Sequence, residues 1–466
     1  MSPSRKADLP DGLTVVVNAD CPTCALVRPV IDKLNVRIVS EDDDDGLEIS
    51  YRLGVETVPT LLKVEGGTEQ ARTVGWSRSR WEEITGAAPL GAGLPDFRPG
   101  CGSRTLEPSV ADELAVRFQG HRLRSRRVEL GALEDEAEAM FERGWTDGLP
   151  VVAPTEARVL RMLGGTDRDP AEIVAVVPPD LVECSVEKVA VNAVMAGCRP
   201  EFLPVVLAAL EGACTTEFNA HGVLATTMPV GPVLVVNGPV RRRIGMNSGV
   251  NVLGQGNRAN STIGRALQLV IRNVGGGRPG GVDRAAQGNP GKVGLCFAED
   301  EEGSPWEPLH VSRGFDAAAS TVTVFAGEGP RGVVDQLSRD PESLARSLAA
   351  CLRTVQHPKL ALAFDALVVV GPEHGRVFRE GGWSRAQLLA RLDELLTLPG
   401  DDLVRGAGGI AEGLAPTVAG ITLPKFRPGG ILVVHAGGGA GLFSTIIAGW
   451  ASGPTGSQPV TREVRT

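Results

Sequence analysis

The residues of this 466-residue chain whose type and spacing most directly imply chemistry are Cys21 and Cys24, in Cys21-Pro22-Thr23-Cys24. Six further cysteines, Cys101, Cys184, Cys198, Cys214, Cys296 and Cys351, are scattered. So few in so long a chain do not make a disulfide scaffold, so most are expected to be reduced. Residues 13–19 read as a buried strand, and Pro22 to Leu34 carries apolar residues at helical spacing. The cysteine pair therefore lies at a strand-to-helix junction. Pro22 suits the first helical position and leaves Cys21 at the helix N-terminus, where unpaired amides and the helix dipole stabilise a thiolate. Cys21 is the natural nucleophile, and Cys24, one turn on and facing inward, can resolve a mixed disulfide formed on Cys21. The alternative, half of a zinc site, needs a second ligand pair, and none has suitable spacing.

The elements that must position this pair follow in order. A second strand is expected at Val36 to Val39, then an acidic surface run at Glu41 to Asp45, then a short helix around Leu47 to Leu53. Val58-Pro59-Thr60 then opens an apolar strand, Leu61 to Val64, and Gly66-Gly67 turns a hairpin. Pro59 is a candidate cis proline that would set the Val58 backbone beside the cysteines. This order of elements, with Cys-Pro-Thr-Cys and Val-Pro-Thr, resembles the thioredoxin-like superfamily over roughly residues 10–86. The resemblance implies a redox domain and thiol–disulfide oxidoreductase activity at Cys21, Cys24 and Pro59. The Cys21–Cys24 disulfide is then the redox-active group, and no separate cofactor is implied. Asp20 stands where thioredoxins commonly carry an aromatic residue, no acid is marked as buried, and the Cys-Pro start is closer to glutaredoxins.

Composition divides the rest. Gly 59 and Pro 33 are many, and residues 87–104 are rich in both. That segment reads as a linker between a redox domain at 1–86 and an α/β catalytic region at 105–466, with two subdomains an option. Such a tether would let the redox domain visit a site on its neighbour. Cys101 lies within it, in a Cys-Gly-Ser context similar to the Cys-Gly-Ser-Cys stretch of some bacterial redox proteins, but with Arg104 in place of the second cysteine; a plain linker thiol is the favoured reading. Residues 107–143 read as helical, with a basic stretch from His121 to Arg127 before an acidic one at Glu134 to Glu138. Beyond Gly144, strands at Ile173 to Val177, Val233 to Val236, Thr321 to Phe325, Ala366 to Val370 and Ile431 to Val434 alternate with helical patterns, which argues an α/β fold with a mainly parallel or mixed sheet. The segments Gly144 to Pro150, Asn257 to Asn260 and Ser304 to Pro308 are similar to those of uncharacterised bacterial proteins, a likeness that names no reaction.

Several constellations in this region could bind or react. Ser185 is expected to cap a helix, placing Cys184 at its positive end near Lys188, conditions that favour a thiolate. Asn247, Asn251, Arg258, Asn260 and Arg265, in a glycine-rich tract with a helix expected from Ser261, suit a carboxylate or phosphate. A second loop around Gly438 and Gly439, followed by Ser444, has the strand–loop–helix layout of a ligand site. Glu299 to Glu302 with Trp306, Glu307 and His310 suits acid–base work, whereas His221, His374 and His435 read as structural.

A formal charge of −9 argues against nucleic-acid binding, and 4% aromatic residues leave few stacking platforms. The polar start and the short apolar run at Leu13 to Val17 point to the cytoplasm, and prolines or glycines interrupt the long uncharged stretches 218–240 and 428–460, so no membrane span is expected. The expected function is a thiol–disulfide oxidoreductase module fused to an α/β enzyme, exchanging a disulfide or persulfide with a small anionic substrate or with Cys184. An external thiol reductant and a homo-oligomer are compatible partners. The alternatives are a lyase or hydrolase of a small, sulfur-containing anion kept reduced by the first domain, and a redox-sensing binding protein.

Overall fold

The computed structural model describes residues 10–118, 123–131, 134–453 and 455–465. Two compact units divide the chain, Met1–Arg122 and Leu123–Thr466.

In the first unit, β1 (Gly12–Val17) leads into α1 (Pro22–Ile31), β2 (Arg37–Ser40) and α2 (Asp44–Arg52). Then come β3 (Thr57–Val58), β4 (Thr60–Glu65), β5 (Thr68–Val74), β6 (Trp76–Ser77) and α3 (Arg78–Thr85). The sheet order is β2-β1-β4-β5, with β1 parallel to β2 and antiparallel to β4. Val15 and Val16 of β1, Val27 and Ile31 of α1 and Leu61 and Leu62 of β4 share one core with Trp76 and Trp81. The Val58–Pro59 peptide is cis.

The Gly/Pro-rich segment differs from its expected role as a loose tether. The Arg78 guanidinium donates to the carbonyls of Leu90, Gly91 and Leu94 at 2.5–2.8 Å. Further on, β7 (Phe97–Arg98) pairs with β6, and β8 (Cys101–Gly102) pairs antiparallel with β3. Backbone pairing of this kind cannot be read from glycine and proline content. The helix α4 (Pro108–Phe118) closes the unit.

The second unit begins irregularly. Residues 123–131 form no helix, so the helical reading of 107–143 holds only for α4 and α5 (Glu136–Glu142). His121 and Arg122 of the basic stretch and the first nine residues lie outside the described residues. Next come α6 (Glu156–Leu163), the hairpin β9 (Ile173–Val177) and β10 (Val182–Ser185), α7 (Val186–Ala196), α8 (Leu203–Ala213), α9 (Ala220–Ala225), β11 (Gly231–Asn237), α10 (Val240–Arg243) and α11 (Arg258–Asn273). Then follow β12 (Leu295–Ala298), α12 (Leu309–Ser312), β13 (Thr321–Gly327), β14 (Arg331–Val334), α13 (Pro341–Leu352), β15 (Phe364–Val370), α14 (Pro372–Glu380) and α15 (Arg385–Leu395). A small pair, β16 (Thr397–Pro399) and β17 (Thr422–Pro424), brackets α16 (Gly400–Leu403) before β18 (Ile431–His435), β19 (Phe443–Ala451) and β20 (Val460–Glu463).

The main sheet is mixed, ordered β12-β11-β13-β19-β15-β18, with β14 on β19 and β20 on β13. Its halves join where Gly327 of β13 pairs with Gly449 of β19. Strand alternation assigns the faces. Val233, Val235 and Phe325 pack with Leu367, Val369, Val434 and Ile447. On the opposite face of the first half, Leu234, Val236, Val322 and Val324 pack against α7, α8 and α11. Ala366, Val368, Val433 and Ile446 of the second half pack against α13, α14 and α15. The result is an α/β unit of four layers, helix, sheet, sheet, helix, whose central strands are apolar on both faces. Among the described residues no helix is long and apolar enough to cross a membrane.

Candidate functional site

Cys21 occupies the N-cap of α1 in extended backbone, Pro22 is the first helical residue, and the Cys24 amide donates to the Cys21 sulfur at 3.3 Å. As a thiol, Cys21 donates to the Val58 carbonyl at 3.4 Å, which places the residue before Pro59 directly beside it. The structure thus brings Cys21, Cys24 and Pro59 together. Burial works to raise the pKa of Cys21, but hydrogen bonds from the Cys101 thiol, from Cys24 and from the Thr23 amide outweigh it and hold the group below an ordinary thiol. For Cys24, burial dominates and the pKa is pushed well up. One sulfur is poised to ionise and its neighbour holds its proton.

Three residues of this site were not expected. The first is Cys101, carried in by β8 opposite Val58 and within hydrogen-bonding reach of Cys21. Thr23, inside the Cys-Pro-Thr-Cys motif, donates to the Pro99 carbonyl at 2.8 Å and fixes the approach of this strand. Gly75 and Gly100 permit it: a Cβ on Gly100 would lie 2.6 Å from the Val58 oxygen, and one on Gly75 would lie 2.8 Å from the Arg98 oxygen.

The second is Glu41, expected within a surface run but 2% exposed. Its carboxylate accepts from Ser50 and Ser103 hydroxyls at 2.5 Å, the Arg104 amide at 3.0 Å and Asn18 at 3.4 Å. The third is Arg104, whose guanidinium meets Asp20 at 2.5 Å and Asp42 at 3.1 Å. Asp20 therefore has an ionic partner, which a sequence-local view of the motif did not show. The only available signal for Cys101 was its Cys-Gly-Ser context.

In the second unit Cys184, which by its sequence could be a thiolate or a buried small apolar side chain, is buried. Ser185 caps α7 as expected, accepting from the Lys188 amide at 3.3 Å. Cys184, however, is 0% exposed within the α7–α8 core, and burial pushes its pKa up to about 12 against the weaker pull of Lys188. Lys188 directs its ammonium to the Glu183 carbonyl at 3.1 Å.

The polar groups of the glycine-rich tract largely engage one another. The Asn260 side chain bonds to the Asn247 amide and carbonyl at 3.0 and 2.9 Å. Asn251 donates to the Gln255 carbonyl at 2.8 Å, and Arg258 donates to the Gly197 carbonyl at 2.9 Å. Asn257 caps α11, so the helix opens at Arg258 instead of Ser261. Arg265 is committed to a bidentate pair with Asp147 at 2.8 Å. The two glycine loops do meet: the Gly437 amide donates to the Ser248 carbonyl at 2.9 Å, and a Cβ on Gly438 would lie 3.0 Å from Val250, whereas one on Gly439 would meet nothing within 4 Å. Ser444 starts no helix; it lies in β19, buried, with its hydroxyl 2.8 Å from His374 Nδ1.

Two other places hold unengaged polar groups. At the strand ends, buried Glu299 accepts from Asn237 at 2.6 Å and from the Leu309 amide at 2.7 Å, while both ring nitrogens of buried His310 and Nε2 of His435 lack hydrogen-bond partners. Beside α11 lies a cavity of about 200 Å³ lined by Phe218, Leu224, Gln268, Arg272, Asp283 and Lys292. There Gln268 Nε2 and Arg272 Nε have no partner. Both residues follow Arg265 on α11, beyond the helix start that the glycine-rich tract marks in the sequence.

No protein-family profile matches the chain. Thioredoxin from Haemophilus influenzae is 33% identical over 79 residues, a match that covers 13% of this chain and 74% of that protein. The match falls in the N-terminal region, where the helix-capping Cys21, buried Cys24 and cis-Pro59 have just been described. Through this N-terminal unit the chain belongs to the thioredoxin family.

Proposed function

We propose that the first unit is a thiol–disulfide oxidoreductase module in which Cys21 attacks and Cys24 resolves. The observation that carries this is the placing of two adjacent thiols at one helix start, Cys21 at the N-cap with the Cys24 amide on its sulfur and Cys24 one turn on in the core, an arrangement that lowers the first thiol and raises the second. The Cys21 thiolate attacks one sulfur of a disulfide, a mixed disulfide forms, and the departing thiolate takes a proton. Cys24 then loses its proton and attacks the Cys21 sulfur, closing the Cys21–Cys24 disulfide and releasing the second thiol. The test is reduction of a small chromogenic disulfide by protein pre-reduced with dithiothreitol and freed of it. Cys21→Ser should fall to the uncatalysed rate, and a wild-type rate in that variant would refute the reading.

A second reading concerns the larger unit, which we infer binds a small anion in the cavity beside α11. The unengaged Arg272 and Gln268 donors favour that cavity over the tract around Asn247 and Arg265. It suits either a partner substrate for the redox unit or a separate lyase or hydrolase reaction. Sulfate and succinate should each raise the melting temperature of the full chain, and Arg272→Met should cancel the rise. Equal rises in wild type and variant would place the anion elsewhere.

A further inference from the structure

Resting on the reading of Cys21 as nucleophile, we propose that Cys101 is a third redox cysteine, whose thiolate attacks the Cys21 sulfur of a mixed disulfide and closes a Cys21–Cys101 disulfide. The strand register sets Cys101 across from Val58, and the Val58 carbonyl is the group that the Cys21 thiol touches at 3.4 Å. The two sulfurs are thus neighbours on one backbone edge. Residues on both sides hold Cys101 there: Pro99 accepts from Thr23 at 2.8 Å, the Ser103 amide donates to the Glu56 carbonyl at 3.0 Å, and the Ser103 hydroxyl anchors on buried Glu41 at 2.5 Å. Cys101 is also half-buried, whereas Cys24 lies in the core, so solvent base reaches Cys101 more readily.

The causes that hold each proton separate the two resolving thiols further. Cys101 is raised chiefly by the hydrogen bond it gives to Cys21. Once the Cys21 sulfur is in a disulfide it carries no charge to accept that bond, and the restraint is gone. Cys24 is raised chiefly by burial, which a mixed disulfide on Cys21 leaves in place. At the moment of resolution Cys101 is the freer thiol.

The step balances. Cys101 loses its proton to solvent base, its sulfur bonds to Cys21, the bond from Cys21 to the substrate sulfur breaks, and the released thiolate takes up a proton. Together with formation of the mixed disulfide, one substrate disulfide gains two electrons and Cys21 and Cys101 lose two. Attack by Cys24 on Cys21 then regenerates the Cys101 thiol with no net redox change.

The experiment uses the full chain reduced and then treated with glutathione disulfide, alkylation of free thiols, and peptide mass mapping over time. In Cys24→Ser, the glutathione adduct on Cys21 should give way to a Cys21–Cys101 linked peptide. In Cys24→Ser/Cys101→Ser, the adduct should persist about tenfold longer or more. Equal adduct lifetimes in the two variants, with no linked peptide, would overturn the proposal while leaving Cys21 as nucleophile. No adduct on Cys21 in the double variant would overturn that underlying reading as well. Cys24→Ser/Cys101→Ala repeats the comparison should the serine at 101 disturb the strand.

Discussion

The two units differ in what surrounds their cysteines. In the first, Cys21, Cys24 and Cys101 share hydrogen bonds around one helix start, and the donors to Cys21 outweigh the cost of burying its charge. In the second, desolvation outweighs the few groups that pull the other way, so Cys184, Cys198 and Cys214 are pushed up to about 12, and Cys296 goes higher still. Cys198 donates to the Thr262 carbonyl at 3.4 Å, and burial outweighs the lowering pull of the Thr262 side chain. Burial raises thiols in both units, Cys24 among them; Cys21 stands apart because amides and a thiol converge on its sulfur. Cysteine count and exposure therefore say little about reactivity in this chain.

The contrast can be broken most directly at Cys21. Its replacement by serine should remove disulfide reduction entirely, whereas Cys184→Ser should leave it within about twofold of wild type, as expected of a core thiol. Equal losses in the two variants would erase the distinction. Next in size is the pH dependence of alkylation followed by mass spectrometry. Because the Cys21 pKa is lowered, its thiolate, and hence its labelling rate, should rise at a lower pH than for a free cysteine. Cys101→Ala should move that rise upward by removing a donor, and Cys184 and Cys198 should stay unlabelled until the protein unfolds. Labelling of Cys184 alongside Cys21 would contradict the account.

A smaller effect is expected at Glu41. Glu41→Ala leaves Ser50, Ser103 and the Arg104 amide without their acceptor and should cost about 2–3 kcal/mol locally, seen as faster hydrogen exchange from Cys101 to Arg104. Unchanged exchange there would remove Glu41 as the anchor of that strand. A last test concerns burial on a cation. Lys425, 2% exposed and donating to the Val355, His357 and Leu360 carbonyls at 2.7–2.9 Å, is pushed down by desolvation to about 8 from 10.5. Above pH 8 the folded chain releases this proton while the unfolded chain keeps it to about 10.5, so this group adds stability as pH rises between those values. Lys425→Met should flatten that part of the stability curve, and an unaltered slope would show that the ammonium does not titrate there.

The Cys21–Cys24 pair and Pro59 were legible in the sequence because strand, helix start and hairpin lie in one continuous stretch and each carries a local signature. The α/β class was legible for a similar reason: strands such as β11 and β15 are buried on both faces and read as unbroken apolar runs. Cys101 was hidden because a two-residue ladder joins it to a strand far back in the chain, and its own two-residue strand has no pattern. Glu41 was hidden among four exposed aspartates, since its burial depends on Ser103 and Arg104 arriving from outside the run. In the glycine-rich tract the polar residue types pointed to a ligand, but side chains such as Asn260 and Arg265 are taken up by the tract itself and by Asp147. The unpartnered donors lie further along α11.

Thr57 and Val58 already spend their edge on Cys101 and Gly102, so the backbone next to Pro59 has no open ladder for a visiting polypeptide. A protein disulfide presented on an extended segment must first displace the chain's own strand, with its ties to Thr23, Glu41 and Glu56. A glutathione-sized disulfide needs no such displacement. If the proposed redox reading holds, the short strand would act as a size filter, turning the dithiol toward small clients without adding a single residue to the reaction itself.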